Sequence, residues 1–304
     1  MKWFFFSIIA LLCWSGSDLF SKIGCQDAKD KYSHLKMVMA VGVVMGLHAG
    51  YEVFFRKVEI SWHVIITYLP VSFLYIISMA IGYLGLRYIE LSISSPICNS
   101  SGAIVAILTL CTVGIGDDLP PLALIAVALV CIGVIALGFV EAHEDEELRR
   151  ARQNASNHHY AKSVIAIAIP ILYCLLDALG TFADSKVLET INEDSANVAY
   201  ELTFLFVGVI CAIYVLGVKR QKLLPKMEAP KYVGAAFETI GQFFYINALA
   251  DSKHVMFSAP IISAYCMMSV VWSRIFLKEK LSLKHYLCIG VTVLGIIGLG
   301  IFDI

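Results

Sequence analysis

Charged residues are scarce in this chain of 304 residues, where Asp, Glu, Lys and Arg make up 15% and hydrophobic residues 59%. The mean hydropathy of +0.78 is far above that of a soluble domain, of which about 25% is charged. This shortage of charge excludes an ordinary soluble protein and predicts an integral membrane protein, with the lipid bilayer as a partner. The net charge of −1 gives no attraction for nucleic acid, which we exclude as a partner.

Motifs for metals, disulfides, nucleotides and proteolysis are also missing. The nine cysteines form no CxxC pair and no His/Cys cluster with metal spacing, so we expect no metal, no cofactor and no disulfide framework. Without a GxxxxGK[ST] motif, ATP-driven transport by this chain alone is disfavoured. An intramembrane aspartyl protease is disfavoured because no Gly-x-Gly-Asp element accompanies Asp177. We therefore predict that the chain is not an enzyme and has no catalytic residues.

Long apolar runs are what the chain has in abundance. The first run follows Lys2 and resembles a secretion signal, but its match to the sixth run favours a helix that stays in the protein. The fold class predicted from the runs is an all-α integral membrane protein with ten transmembrane helices, each near the roughly 20 residues that a bilayer requires. The ten runs lie at 3–23, 37–55, 64–86, 91–113, 121–140, 163–185, 197–217, 231–250, 254–277 and 284–302.

The two halves of the chain repeat each other. Ser95-Pro96 returns as Ala259-Pro260 after 164 residues, and the same offset carries Ser21-Lys22 onto Ser185-Lys186. Each half contains five apolar runs, and an odd number makes the second copy enter the membrane from the opposite side. We therefore predict two inverted five-helix repeats, an arrangement that many secondary transporters use. Both prolines lie near the start of their helices, where proline is tolerated, and do not by themselves require broken helices.

The predicted boundaries place the first repeat at residues 1–140, a polar linker at 141–162 and the second repeat at 163–304. In this layout five of the 23 Lys and Arg residues fall on the face that carries both termini, and eighteen fall on the other. The positive-inside rule then places the termini outside the cell. The plasma membrane is the expected location.

Acidic side chains away from the ends of the spans are the candidate functional groups. A charged group inside a membrane costs about 2.5–3.5 kcal/mol on insertion scales and usually marks a substrate or proton pathway. Asp18, Asp177 and Glu238 stand in such positions, whereas Lys22 and Arg274 stand at the ends of their runs. We predict that the three carboxyls couple transport to protons. The alternative is that they are neutral, hydrogen-bonded packing groups.

Aromatic and polar residues recur at helical spacing around these carboxyls and predict inward-facing surfaces. Trp14 precedes Asp18 by four residues, for example, so both lie on one face of a helix. Aromatic rings beside a carboxylate suit an organic cation, whereas an anion would require Lys or Arg near the midplane. For each aromatic ring, packing in an interfacial belt is the alternative. The predicted substrate-binding residues are Trp14, Asp18, Tyr75, Asn99, Tyr173, Asp177, Glu238, Gln242, Tyr245 and Tyr265.

The second apolar run carries two further patterns. Gly42, Gly46 and Gly50 are spaced by four residues and predict a smooth face for close helix contact. His48 and Glu52, also four residues apart, could form a proton relay, although a satisfied buried pair is the more common explanation. We expect both patterns to serve packing.

Motifs in the second half resemble those of a known transporter family. Ser258-Ala-Pro-Ile-Ile-Ser-Ala264 is followed by Phe276-Leu-Lys-Glu-Lys-Leu-Ser282 and by the glycine-rich Leu294-Gly-Ile-Ile-Gly298. This combination resembles the EamA-type branch of the drug/metabolite transporter superfamily over essentially the whole chain. Weaker versions in the first half are Ser95-Pro96, Gly116-Asp117-Asp-Leu119 and Gly133 to Gly138.

The resemblance implies ten helices in two inverted repeats, a central cavity, and alternating-access transport of a small metabolite, often by export. It does not name the substrate, because the family spans amino acids, drugs, cations, sugar phosphates and nucleotide sugars. Asp117 stands where the family pattern has Glu. Termini in this family are usually cytoplasmic, in conflict with the count of Lys and Arg.

The sequence thus favours a secondary transporter that moves a small polar or cationic metabolite or drug by alternating access. Proton-coupled export through Asp177, Glu238 or Asp18 is the expected mode. One alternative is a carrier of the same superfamily for an anionic metabolite, such as a sugar phosphate or nucleotide sugar. Another is a membrane receptor or subunit that binds a small molecule without moving it.

Overall fold

The computed structural model describes residues 2–25, 30–86, 91–113, 121–142, 164–276 and 281–301, and all regular structure in these ranges is helical. Most of the predicted linker, and the motifs Gly116-Asp117 and Lys278-Glu279, lie outside the described residues. The α-helices are α1 (Lys2–Cys25), α2 (Ser33–Phe54), α3 (Trp62–Gly85), α4 (Leu91–Cys98), α5 (Ser101–Val113), α6 (Pro121–Ala142), α7 (Val164–Val187), α8 (Glu193–Ala212), α9 (Pro225–Leu249), α10 (Val255–Ser263), α11 (Tyr265–Phe276) and α12 (Leu283–Ile301).

Several pieces continue one another, so that the described helices form ten segments matching the ten apolar runs. A π-helical piece, Ile213–Val218, extends α8, while α4 leads into α5 and α10 into α11. Seven segments are long and apolar enough to cross a membrane. Of the other three, one is the interrupted α4–α5 segment, α12 is described over only 19 residues, and α9 carries the charged residues Lys226, Glu228, Lys231 and Glu238.

Large apolar side chains cover the outside of the bundle. Leu47, Phe55 and Trp62 are 72%, 77% and 78% exposed, which would be unfavourable in water and is expected of a surface that contacts lipid. Together with the seven apolar spans, this surface identifies an integral, multi-pass membrane protein.

Contacts near the helix ends define two faces of the bundle. On the terminal face, so named because α1 begins there, the Trp3 ring stacks on His254 with centroids 4.9 Å apart. On the opposite face, the Lys36 ammonium lies 2.9 Å from Asp30 and 3.3 Å from Glu228. These contacts tie the first helices of the chain to α9 and to the start of α10 at both ends.

Capping residues fix where two helices start on the terminal face. The Ser61 hydroxyl accepts the Val64 backbone N–H at 3.3 Å, and the Asn192 side chain accepts that of Asp194 at 3.0 Å. Each side chain satisfies a donor that has no partner inside its own helix. On the opposite face α9 starts with Pro225 at its first position, where the missing N–H costs nothing.

The breaks in the fourth and ninth segments fall at the same place in the two halves. After the breaks, α5 and α11 begin 164 residues apart, the offset already present in the sequence. Around each break, backbone bonds reach the third preceding carbonyl, from Ser100 to Ile97 at 3.3 Å and from Ala264 to Ile261 at 3.1 Å. This tighter winding interrupts the α-helix. The prolines alone did not demand the breaks, so they are a finding of the structure.

The helices pair across the two halves of the chain, in a pattern that is unchanged when the halves are exchanged. α1 packs on α9 and α3 on α7, while α2 packs on α8 and α6 on α12. The α2–α8 pair is especially close, because a Cβ on Gly42 would lie 2.8 Å from the Phe204 carbonyl oxygen and 3.0 Å from Gly208 Cα. Gly46 faces Leu205 of the same helix, whereas Gly50 has no neighbouring atom within 4 Å. Two of the three glycines therefore form a helix contact.

Candidate substrate cavity

A cavity lies at the centre of the bundle, where α1, α3, α4, α7, α8, α9, α10 and α11 meet. About 80 Å³ of it is open to the centres of water molecules. The cavity therefore has room for several waters or for a small organic molecule. All ten residues that the sequence predicted to bind substrate line it, namely Trp14, Asp18, Tyr75, Asn99, Tyr173, Asp177, Glu238, Gln242, Tyr245 and Tyr265.

Asp18 joins α1 to both interrupted segments. Its Oδ2 atom accepts the hydroxyl of Ser95 on α4 at 2.6 Å and that of Ser269 on α11 at 2.8 Å. The Asn99 amide donates to the Ser95 carbonyl at 2.7 Å, which holds the residue at the break against α4. One carboxylate therefore connects three elements from the two halves.

Asp177 and Glu238 reach the cavity from α7 and α9. The hydroxyl of Ser101, the first residue of α5, donates to Asp177 Oδ2 at 2.7 Å. Glu238 is hydrogen-bonded by Ser17 of α1. A hydroxyl stabilises a carboxylate without neutralising it, and no Lys, Arg or His belongs to the described lining. Three carboxyls thus meet in one cavity with neutral partners.

Aromatic rings form much of the wall around the carboxyls. The Trp14 ring lies 4.7 Å from that of Tyr245 and 5.8 Å from that of Tyr265, measured between centroids. The Tyr75 ring packs edge-on against Tyr200 at 5.9 Å. The faces and edges of these rings offer both apolar contact and a partner for a cation.

A layer of hydroxyls closes the cavity toward the terminal face. This tyrosine layer consists of Tyr68, Tyr75, Thr181, Asp184 and Tyr245. Tyr68 donates to Asp184 Oδ1 at 2.7 Å and Tyr75 to Oδ2 at 3.2 Å. Tyr245 donates to Thr181 at 2.8 Å and is in hydrogen-bond contact with Tyr75. Tyr75, Thr181 and Tyr245 line the cavity, whereas Tyr68 and Asp184 are fully buried beyond it.

Three donors around the cavity have no hydrogen-bond partner among the described residues. They are the indole nitrogen of Trp14, the amide nitrogen of Gln242 and the hydroxyl of Tyr83, and all three are buried. Buried polar groups in proteins almost always have partners, so each of these donors needs an acceptor that the described residues do not provide. A polar molecule in the cavity is an obvious source of one.

A second polar cluster lies between α2 and α8, outside the cavity. This seam cluster consists of His48, Glu52, Arg56 and Glu201. His48 Nδ1 lies 2.8 Å from Glu201 Oε1, and its Nε2 lies 3.5 Å from Glu52 Oε1. Arg56 in turn lies 3.0 Å from Glu52. His48 and Glu52 thus belong to a cluster with satisfied charges, as the packing interpretation expects, and the proton relay remains a prediction.

Sequence reasoning did not single out several groups that shape the cavity. Ser17 and Ser101 were missed, although they hold Glu238 and Asp177, because each partner lies in the other half of the chain. Tyr83 and Tyr200 were also missed. Ser17 had one available signal, since it stands next to Asp18 at a depth where polar groups are rare.

Comparison with known proteins bears on both fold and family. One solved structure, described only as a crystal structure of a protein, superposes on 98% of this chain and 96% of its own with a TM-score of 0.66. The two sequences are 12% identical, so this likeness concerns the fold alone. No curated protein gives a significant match. Residues 163–301 match the model of the EamA-like transporter family. The second half of the chain, residues 163–301, therefore resembles the EamA-like transporter family of the drug/metabolite transporter superfamily.

Proposed function

We propose that this protein is a secondary transporter of a small organic cation or polar amine, working without ATP and coupled to protons. The observation that carries the proposal is the convergence of Asp18, Asp177 and Glu238 on one cavity whose described lining has no basic side chain. A buried carboxylate without a cation is costly. A cationic substrate or a proton would supply the missing charge.

The walls of the cavity support an amine with polar substituents. The Trp14, Tyr245 and Tyr265 rings offer cation-π contacts. The unpartnered donors on Trp14, Gln242 and Tyr83 would bind acceptor atoms elsewhere on the same molecule. The size of the cavity restricts the substrate in this conformation to a small metabolite.

Alternating access follows from the proposal that the ten segments are two inverted repeats. Two observations support the repeats. The helix breaks recur at the repeat offset of 164 residues. In addition, the pair α1–α9 in one half-to-half contact corresponds to the pair α7–α3 when each helix is replaced by its counterpart in the other half. In such a fold, exchanging the conformations of the two halves turns a cavity closed on one side into one closed on the other. The tyrosine layer is then the closed gate on the terminal face.

Proton coupling is proposed for the same carboxyls. A carboxyl that binds either a proton or a cationic amine makes the two compete, so that protons arriving from one side release substrate to that same side and are then carried to the other. Because Lys and Arg favour the face opposite the termini, that face is proposed to be cytoplasmic, in the plasma membrane. The proposed direction is export in exchange for protons.

The test is a thermal-shift screen of the purified protein with amines, quaternary ammonium compounds, amino acids and sugar phosphates. Amines should raise the apparent melting temperature, and Asp177→Asn or Glu238→Gln should remove the effect. Asp251→Asn, in a loop away from the cavity, is the control and should respond as the native protein does. Compounds that raise the melting temperature are then tested in flux assays with proteoliposomes. There an inward-directed proton gradient should drive the compound out of the proteoliposomes in exchange for protons.

Three results would each contradict the proposal. Stabilisation by sugar phosphates instead of amines would favour the anion carrier. Unchanged amine binding in both carboxyl variants would make Asp177 and Glu238 packing groups. Binding without flux under any gradient would indicate a receptor.

A further inference from the structure

A second pocket opens on the terminal face, between α5, α7 and the loop that leads into α10. Its polar lining consists of Thr109, Ser185, Lys186, Glu189, Ser252 and Lys253. We propose that this terminal pocket binds a phosphate group, either of a free anion or of a lipid headgroup. The proposal concerns a site separate from the central cavity and does not rest on the proposed transport function.

The charge of the pocket is positive. Lys186 lies 2.9 Å from Glu189, with 43% and 46% of their side chains exposed, so this pair is loosely held and open to exchange. Lys253 forms no ion pair with any carboxylate in the part of the chain that the structure describes. The sequence predicts only five Lys and Arg residues on the terminal face, and Lys186 and Lys253 are two of them.

The start of α10 adds backbone donors to this charge. Val255, its first residue, lines the pocket, and the preceding His254 makes no side-chain cap. The first N–H groups of a helix have no partner within it, and the positive end of the helix dipole points in the same direction. Such an uncapped start favours an anion when other donors surround it.

Thr109 supplies the independent observation that a ligand belongs here. Its side chain is only 9% exposed, lines the pocket, and its hydroxyl has no partner among the described residues. Thr112, one turn later on α5, instead donates to the Leu108 carbonyl at 2.9 Å. A buried hydroxyl left without a partner costs free energy that an oxyanion in the pocket would recover.

The position of the pocket explains why its ligand would be distinct from the transported molecule. On α7, Thr181 lines the central cavity, whereas Phe182, Ser185 and Lys186 line the terminal pocket. The central cavity has acidic groups and no described basic ones, whereas the terminal pocket has two lysines and one glutamate. About 180 Å³ of the terminal pocket is open to the centres of water molecules, enough for a phosphate group.

The proposal is tested on the full chain with two probes. The first is inorganic phosphate, added to the detergent-solubilised protein against chloride of equal ionic strength, with thermal stabilisation as the readout. The second is retention of phosphatidylglycerol over phosphatidylcholine, measured by native mass spectrometry. Lys253→Gln and Thr109→Val should each weaken the response about tenfold, the usual value of one hydrogen bond to a charged group. The matched controls are Lys57→Gln, a lysine of the same face outside the pocket, and Thr112→Val; both should respond as the native protein does.

Each result decides the question. A response to phosphate alone supports a free anion as the ligand, and a response to phosphatidylglycerol alone supports a lipid headgroup. If neither probe binds, the proposal is wrong. It is also wrong if either probe binds but Lys253→Gln and Thr109→Val respond no differently from their controls.

Discussion

The central cavity and the seam cluster both bury carboxyls inside the bundle, but they neutralise them differently. In the seam, Glu201 and Glu52 contact the ring nitrogens of His48, and Glu52 also pairs with Arg56. In the cavity, the only described residues that donate hydrogen bonds to Asp18 and Asp177 are serines, through their hydroxyls. The seam contains its own basic groups, His48 and Arg56, and the described lining of the cavity contains none.

This difference separates structural carboxyls from functional ones. A charge that is paired within the protein gains nothing from a ligand and holds two helices together. A carboxyl without a protein cation is a liability for stability unless a proton or a substrate neutralises it. Sequence position distinguishes these cases only by depth, because Asp177 stands well inside its apolar run and Glu201 stands nearer the start of its own.

The comparison is tested most strongly by neutralising one carboxyl from each region. Asp177→Asn keeps the shape of the side chain and an acceptor for Ser101, so we expect the melting temperature to change little. Transport should fall on the order of 100-fold, because a desolvated ion pair is lost. Flux and melting curves of the reconstituted protein check both expectations.

Glu201→Gln should show the reverse pattern. It removes the charge that contacts the His48 ring at 2.8 Å, and we expect a loss of about 3 kcal/mol of stability. Transport by the surviving folded protein should remain near normal. If Glu201→Gln stops transport without lowering stability, the seam cluster is a functional relay and our distinction fails.

A smaller effect is expected from the glycines that let α2 approach α8. Gly42→Ala would place a methyl group 2.8 Å from the Phe204 carbonyl oxygen and force the backbones apart, at a cost of about 2 kcal/mol. Gly50→Ala is the control, because no atom lies within 4 Å of its Cβ position. It should be neutral or stabilising by about 0.5–1 kcal/mol, since alanine favours the helix. Equal melting temperatures for the two variants would contradict the close packing.

The sequence predicted the helical segments and the lining of the cavity because both depend on local patterns. Hydropathy locates a span, and a spacing of four residues places Trp14 and Asp18 on one face of α1. The cavity residues then follow from the reasoning that polar faces turn inward. Whether those residues bind a substrate is still a prediction.

The tyrosine layer and the seam cluster could not be predicted in the same way. Tyr68 and Asp184 are 116 residues apart, and His48 and Glu201 are 153 apart, so only the packing of α3 on α7 and of α2 on α8 brings them together. The breaks in the fourth and ninth helical segments could not be predicted for a different reason. A proline such as Pro260 near a helix start predicts the start, but not the tighter winding that follows at Ala264.

The smallest effect is expected in the tyrosine layer, which lies in the central region of the bundle. Tyr68→Phe removes the hydroxyl that donates to Asp184 at 2.7 Å and leaves the ring in place. If the layer is the closed gate, the lost bond should shift the balance between closed and open states about tenfold, or roughly 1.4 kcal/mol. Labelling of Cys98, which lines the cavity behind the layer, by a reagent added from the terminal side should quicken by the same factor in a background without the other native cysteines. The matched control is Tyr232→Phe, on the exposed start of α9, which should not change the rate. Equal labelling in both variants would mean that the layer is a fixed part of the core, and that the terminal side opens elsewhere.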